Sequence, residues 1–386
     1  MKVLFKTPLR GFFRHLLQEK SIHAEFQSVT GAMYETQSTL KNIIKRVARS
    51  RLFDVLGIIQ VPNAIGEDCD IYGSYNRFLR ADKPYFICVE NPTALYHYCL
   101  HRGKSFFGKH HLSTHISDNN LKALVYISKA CQSTFEQVCI HVPEACTQRQ
   151  IYPLVPDNPL VSESTIINRC QATKTLKLLF VAQGNVFTTK GALEVLEAFR
   201  RLRNEGLTDM TLTMITSLSD VPKEALLIAQ QQEGCSVHDF KFSFTEMEKI
   251  YAEHSILLIP TSQDSFNLTV LEAMKAGLPA LASRLYAIPE MIADGENGYL
   301  TDPAWWFFDE HNIPNPAVWN HRKETIYSGK RNERITQFLE DRIRLLYNNR
   351  DLLTKLSLNS YHKAMTPPFS RDYIANQWNE LFDKIG

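Results

Sequence analysis

The sequence predicts an α/β fold of two domains, each built on a parallel sheet, and three observations carry that prediction. Residues 256–282 run as a short apolar stretch (ILLI), a polar loop, a helical pattern and a second apolar run, which is a βαβ unit. The same order opens at 176–203, with the strand LKLLFVA, a loop over 184–191 and a helix whose inward residues are Val195, Leu196, Phe199 and Leu202. At 386 residues the chain exceeds one ordinary core, and Pro143, Pro153, Pro156 and Pro159 interrupt it midway.

Upstream, residues 2–5 read as a first strand and 8–11 as its exit loop. Phe12, Phe13, Leu16 and Leu17 then share one face of a helix. Residues 40–52 form a basic amphipathic helix with Ile43, Ile44, Val47 and Ala48 as its stripe. Strands are expected over 54–61, 70–75 and 84–90. The last ends at Glu90 and Asn91, where a carboxylate could accept a proton or hold a hydroxyl, or simply cap a turn. His101, His110, His111 and His115 crowd a stretch expected as a surface loop, without a partner acid at metal-ligand spacing. Residues 121–127 are a strand, and Ser128 caps a helix running through 138. The proline-rich run then serves as a hinge ending near 172.

In the second half, a strand over 210–215 delivers Thr216 and Ser217 at its exit. A short strand over 239–244 and a helix over 247–253 lead to the strand 256–259. The helix 268–276 carries Leu268, Leu271, Ala273, Met274 and Ala276 at helical spacing and stops at Gly277 and Pro279. Ligands of open α/β sheets collect at strand carboxyl ends, where a helix N-terminus offers unpaired N–H groups to anions. A phosphate is therefore expected near Asn267, Leu268 and Thr269, between two acids, Asp264 and Glu272. Beyond 298, Trp305, Trp306, Phe307, Phe308 and Trp319 fill one proline-interrupted stretch, readable either as a binding loop or as an insertion folded on its own domain. Helices close the chain over 331–346, 351–358 and 372–382.

These residues resemble the nucleotide-binding core of the retaining glycosyltransferases of family 4. The run DSFNLTVLE from Asp264 to Glu272 is similar to that family's signature of an acid, any residue, Phe, Gly, four residues and Glu. Ala273-Met274, the Gly277-Leu278-Pro279 turn, Ile288-Pro289-Glu290 and the DGENG run ending at Gly298 follow in the family's order. Lys190-Gly191 matches its Lys-Gly. Departures are Asp264 for the usual Glu, Asn267 for Gly, and a first loop with only Gly11 beside Arg10. No arginine precedes Lys190, the candidate places being Asn185, Thr188 and Thr189.

The resemblance implies a GT-B fold of two Rossmann-like domains facing a cleft: an acceptor-side domain over 1–172, a nucleotide-sugar domain over 173–366, and a helix over 367–386 crossing back to the first. It implies a metal-independent, hexosyltransferase-type enzyme moving a sugar from a nucleoside-diphosphate donor, a UDP-sugar foremost, to a saccharide or lipid-linked acceptor with retention, in glycan or glycolipid synthesis. No cofactor is implied. Lys190 would hold the diphosphate, amides near Asn267, Leu268 and Thr269 its oxygens, Asp264 the sugar hydroxyls and Glu272 the ribose. Phe266 and Thr216 would line the nucleotide, the base would lie by residues 242–244, and Glu90 would serve the acceptor. A nucleotide-sugar epimerase, or a non-catalytic module binding a nucleotide-sugar or a partner, are the rival readings.

Composition bounds the rest. Eight cysteines without a CxxC pair predict reduced thiols rather than a disulfide or zinc scaffold. The N-terminal run lacks an uninterrupted apolar core of signal-peptide type, which predicts a cytoplasmic protein. Net charge is only +2, and nucleic acid is not an expected partner. Yet residues 1–51 hold 10 Lys and Arg against 3 Asp and Glu. A basic N-terminal region of this kind suits peripheral contact with the inner face of a membrane, or a solvated helix face.

Overall fold

The computed structural model describes residues 1–29, 55–138, 141–182 and 186–386. The chain divides into two compact units. One comprises Met1–Val155, His311–Ile313 and Arg371–Gly386; the other comprises Pro156–Glu310 and Pro314–Ser370. Among the described residues no helix is long and apolar enough to cross a membrane.

The first unit carries a six-stranded parallel sheet in the order β2-β1-β4-β6-β7-β8, with β1 Lys2–Phe5, β2 Glu25–Ser28, β4 Ile71–Tyr75, β6 Tyr85–Val89, β7 Leu121–Tyr126 and β8 Thr147–Gln150. A two-stranded ladder joins β3 Asn63–Ala64 to β5 Arg80–Ala81. β4 and β6 are buried along their whole length, as inner strands of a sheet covered on both faces must be. The expected strand over 54–61 does not form across its described residues, 55–61. Gly57, at φ 65°, turns the backbone there, and pairing starts only at Asn63. The helix expected over 40–52 lies outside the described residues. His110, His111 and His115 stand not on a loop but on helix α2 Phe106–Ile116, while His101 precedes it in a turn. Ser105 accepts the Gly108 N–H at its start, and Gly108, Leu112 and Ile116 turn inward at every fourth position. β8 forms within the proline-rich run, between Pro143 and Pro153, as an edge strand paired to β7 alone.

The closing helix, α13 Arg371–Ile385, belongs to this first unit. Trp378 and Phe382 meet Phe86 at ring-centroid distances of 5.8 and 5.7 Å. Arg371 clamps Glu19 through Nε and a terminal nitrogen at 2.6 and 2.9 Å, which holds the Glu19 carboxyl down at about 2.

The second unit is a doubly wound sheet in the order β11-β10-β9-β12-β13-β14, all parallel. Its strands are β9 Leu176–Ala182, β10 Met210–Thr216, β11 Cys235–Asp239, β12 Ile256–Ile259, β13 Ala280–Ser283 and β14 Gly298–Thr301. Counted from β9, this is the 3-2-1-4-5-6 order whose direction reverses between the first and fourth strands. The reversal lies between β9 and β12. The short strand expected over 239–244 sits earlier, at β11, because Ser243 and Glu246 close a capping box and start helix α7 Phe244–Glu253 there. Within the expected hinge, Ser162 and Thr165 cap helix α4 Glu163–Gln171. Its buried Arg169 donates to the carbonyls of Ala252, Ala276 and Gly277 at 2.8–3.0 Å. These bonds place α4 in the second unit, whose first residue is Pro156 rather than one near 172. The helix expected over 351–358 runs further, as Arg350–Met365.

The aromatic stretch is mostly an insertion folded on its own unit. Phe307 stacks on Trp319 at 4.2 Å, Phe308 on Tyr286 at 4.1 Å, and the Trp319 indole N–H donates to the Phe307 carbonyl at 2.6 Å. All four rings are buried.

Candidate functional site

Two loops leave the carboxyl edge of the second sheet on either side of its reversal point, one after β9 and one after β12. They are laced together by backbone. The Ser262 N–H donates to the Thr189 carbonyl at 2.8 Å, and the Thr261 hydroxyl reaches the same oxygen at 3.3 Å. Gly191, at φ 79°, begins helix α5 Ala192–Asn204, and a Cβ there would stand 2.6 Å from the Pro260 carbonyl oxygen. Only glycine permits both that backbone and that approach.

The lacing brings Lys190 against Asp264, 74 residues away in the chain, as an ion pair between Nζ and Oδ2. The side chains are 16% and 13% exposed, so the pair is sheltered but reachable. The other Asp264 oxygen, Oδ1, accepts three successive backbone N–H groups, from Ser265, Phe266 and Asn267, at 2.9, 3.3 and 3.0 Å. Asp264 thus shapes the turn into the next helix and fixes the cation beside it.

That helix, α8 Leu268–Lys275, starts at Asn267, whose φ of 66° lies in the left-handed region. This is the position where the family resemblance expects Gly, and Asn is the residue that best tolerates the same backbone. Its side chain caps nothing. The residue is 6% exposed, and Nδ2 is buried without a hydrogen-bond partner. A second orphan is the Thr216 hydroxyl, fully buried at the end of β10. Buried polar groups are ordinarily satisfied, so these atoms, with the Ser283 hydroxyl at the end of β13, are groups that a ligand at this edge could pair. Phe266 is buried, while Leu268 and Thr269 in the first turn are half-buried.

Glu272, one turn further along α8, is half-buried. Burial pushes its carboxyl above the usual range, partly offset by the Tyr251 hydroxyl, which donates to Oε2 at 2.7 Å. The Tyr251 phenol is itself raised well above 10 by burial and by the adjacent carboxylate. Reasoning from sequence missed Tyr251. Its only signal was the Met247/Tyr251 spacing on α7, which marks a core face rather than a polar contact. Arg169 missed notice too, although it anchors the carboxyl end of α8 through the Ala276 and Gly277 carbonyls.

Lys190, Thr216, Asp264, Phe266, Asn267, Leu268, Thr269 and Glu272 therefore all lie in the second unit, whereas Glu90 lies in the first. Glu90 follows β6 and is buried. Its N–H donates to Asn76 Oδ1 at 2.9 Å, its carboxylate accepts the Tyr75 hydroxyl, and Arg10 Nε stands 3.7 Å away. Burial, together with the neighbouring carboxylate, raises the phenols of Tyr75 and Tyr98. Asn91 is a helix cap, accepting the Thr93 N–H at 2.9 Å. Of the candidate places for a second cation before Lys190, Asn185 lies outside the described residues. The Thr189 hydroxyl is turned to the Val186 carbonyl at 3.1 Å. Among the described residues no three His, Cys, Asp or Glu side chains are grouped to hold a metal ion.

A lysine ammonium beside a helix N-terminus at a sheet's reversal point is an arrangement able to receive a polyanion, with a carboxylate one turn deeper able to accept from hydroxyl groups. Residues 175–306, which contain every second-unit candidate, match the family described as glycosyl transferases group 1. Over 161 residues the chain is 32% identical to an MMP alpha-(1->4)-mannosyltransferase of Mycolicibacterium hassiacum, covering 41% of this chain and 36% of that protein. It is 29% identical over 171 residues to the N-acetyl-alpha-D-glucosaminyl L-malate synthase of Bacillus anthracis, covering 40% and 42%. The chain thus spans well under half the length of these curated relatives. Among solved structures, HepE of Anabaena in complex with UDP and glucose aligns over 99% of both chains with a TM-score of 0.60 at 14% identity. WaaG, a glycosyltransferase involved in lipopolysaccharide biosynthesis, aligns over 99% of both with a TM-score of 0.59 at 14% identity. At these identities the likeness establishes the fold, which is GT-B.

Proposed function

We propose that this chain, whose residues 175–306 match the family described as glycosyl transferases group 1, moves a sugar from a nucleoside-diphosphate donor to an acceptor hydroxyl with retention at the anomeric carbon. The observation that carries the reading is the Lys190–Asp264 pair set before the N-terminus of α8, next to the unpartnered side-chain amide of Asn267.

In this reading the Lys190 ammonium turns from Asp264 to the diphosphate, and the amides at the start of α8 take its oxygens. Both stabilise the charge that grows on the leaving phosphate as the anomeric C–O bond breaks. Asp264, freed on one oxygen, accepts sugar hydroxyls, and Glu272 accepts those of the ribose. Thr216 and Phe266 border the nucleotide. The acceptor oxygen attacks the same face, and its proton passes to the departing phosphate, so neither a metal nor a protein nucleophile is required. Glu90, backed by Tyr75 and Arg10, holds the acceptor hydroxyl on the first unit. UDP is the favoured nucleotide because HepE was crystallised with it, and a saccharide or lipid-linked acceptor is favoured by the lipopolysaccharide role of WaaG. The basic N-terminal region supports work at the cytoplasmic face of a membrane, testable by sedimentation with anionic vesicles.

A thermal-shift panel of UDP-, GDP-, ADP- and CMP-sugars tests the core of the proposal. A bound donor at about 100 times its Kd adds roughly 2.7 kcal/mol. NMR analysis of the products then separates transfer to an acceptor from epimerisation of the donor alone. Binding without turnover would leave a nucleotide-sugar-binding module, the rival kept open by the missing arginine before Lys190. No stabilisation by any member would overturn the proposal.

A further inference from the structure

We infer that Tyr251 is a positioning residue for nucleotide recognition, holding Glu272 so that one carboxylate oxygen stays presented to a vicinal diol. The inference rests on the reading of Glu272 as the ribose acid and adds what makes that acid selective.

A glutamate side chain has three rotatable bonds, and one that is half-buried on a helix has several orientations open to it. The Tyr251 phenol removes that freedom. It reaches from α7 to Glu272 on α8 and donates to Oε2 at 2.7 Å. The phenol is itself fixed, since Tyr251 is 3% exposed and packed on the inner face of its helix. The bond thus ties the inner face of one helix to the first turns of the next. Among the described residues, Oε2 has this phenol as its donor and Oε1 has none. An ionised carboxylate is an acceptor with two oxygens. With Oε2 committed to the phenol, Oε1 is the oxygen left to accept from a vicinal diol. A nucleotide lacking those hydroxyls leaves Oε1 desolvated and unpaired, and a buried group left in that way is what gives hydrogen-bonding sites their discrimination.

The test uses Tyr251→Phe, which keeps the ring and its packing, and two probes: the nucleoside diphosphate that stabilises the chain most in the panel above, and its 2′,3′-dideoxy counterpart. Calorimetric titration of the unchanged protein is expected to show the ribose form binding at least about tenfold more tightly. In Tyr251→Phe the ribose form should weaken by about tenfold, while the dideoxy form changes by less than about twofold, so that selectivity collapses. A purely structural role would weaken both probes equally. Equal weakening, or selectivity retained in the variant, would overturn the inference. If the unchanged protein does not distinguish the probes, the assignment of Glu272 to the ribose fails first, and the inference falls with it.

Discussion

Replacing Asp264 by Asn separates the two duties this carboxylate performs. Asparagine keeps an oxygen in the place of Oδ1, so the three amide bonds from Ser265, Phe266 and Asn267 persist, but with a neutral acceptor. Hydrogen bonds to a charged acceptor contribute about 1.5–3 kcal/mol against about 1 for neutral ones, and three donors sharing one oxygen do not add in full, so this change costs about 1–2 kcal/mol. Lys190 also loses its counter-charge in a site where both partners are less than one-fifth exposed, which adds about 1–2 kcal/mol. The sum, about 2–4 kcal/mol, corresponds to a fall in Tm of roughly 5–15 °C at about 2–4 °C per kcal/mol for a unit of this size. Scanning calorimetry measures it. The same variant frees Lys190 from its competitor, so UDP should bind no more weakly than before, whereas a UDP-sugar should lose the affinity added by its sugar. An unchanged Tm, or a UDP affinity that falls with that of the UDP-sugar, would refute the division of labour drawn for Asp264.

Two further outcomes follow from the same structure. Gly191→Ala should lose more than about 2 kcal/mol together with nucleotide binding, because its Cβ meets the Pro260 carbonyl that ties the two loops. Gly206→Ala, at φ 98° with nothing within 4 Å, should lose only about 1 kcal/mol and bind normally; equal losses in denaturant titrations would contradict the lacing. His254, 7% exposed and bonded to the Ile250 carbonyl and the Thr213 hydroxyl, is held neutral down to about 4 by burial. The unfolded chain binds its proton near 6.5, so between pH 6.5 and 4 the unfolded state holds more protons, and stability falls as pH is lowered through that window, by up to roughly 3 kcal/mol. His254→Gln should flatten that slope in urea titrations, and an identical slope would exclude the assignment.

The second unit was largely legible in the sequence because its inner strands are buried on both faces, which forces the continuous apolar runs LKLLFVA and ILLI. Edge strands carry no such signature. Glu25–Ser28 and Thr147–Gln150 are polar and half-exposed, and they are strands because β1 and β7 offer them a ladder. The start of α7 was readable in Ser243 and Glu246 but was masked by the aromatic run around Phe242, which imitates a strand. At the site, residue types were legible while their relations were not. Nothing local says that Lys190 and Asp264 meet, since their contact depends on Gly191 lying against Pro260. Nothing local turns the Tyr251 hydroxyl toward Glu272, since that follows from how α7 packs beside α8.

The central claim, that the N-terminus of α8 is a nucleotide site with Glu272 as its ribose acceptor, is tested most directly by one titration. UDP is added calorimetrically to the unchanged protein and to Glu272→Ala, with circular dichroism confirming an intact fold. Binding to the first and none to the second is the predicted result; the same Kd for both would contradict it.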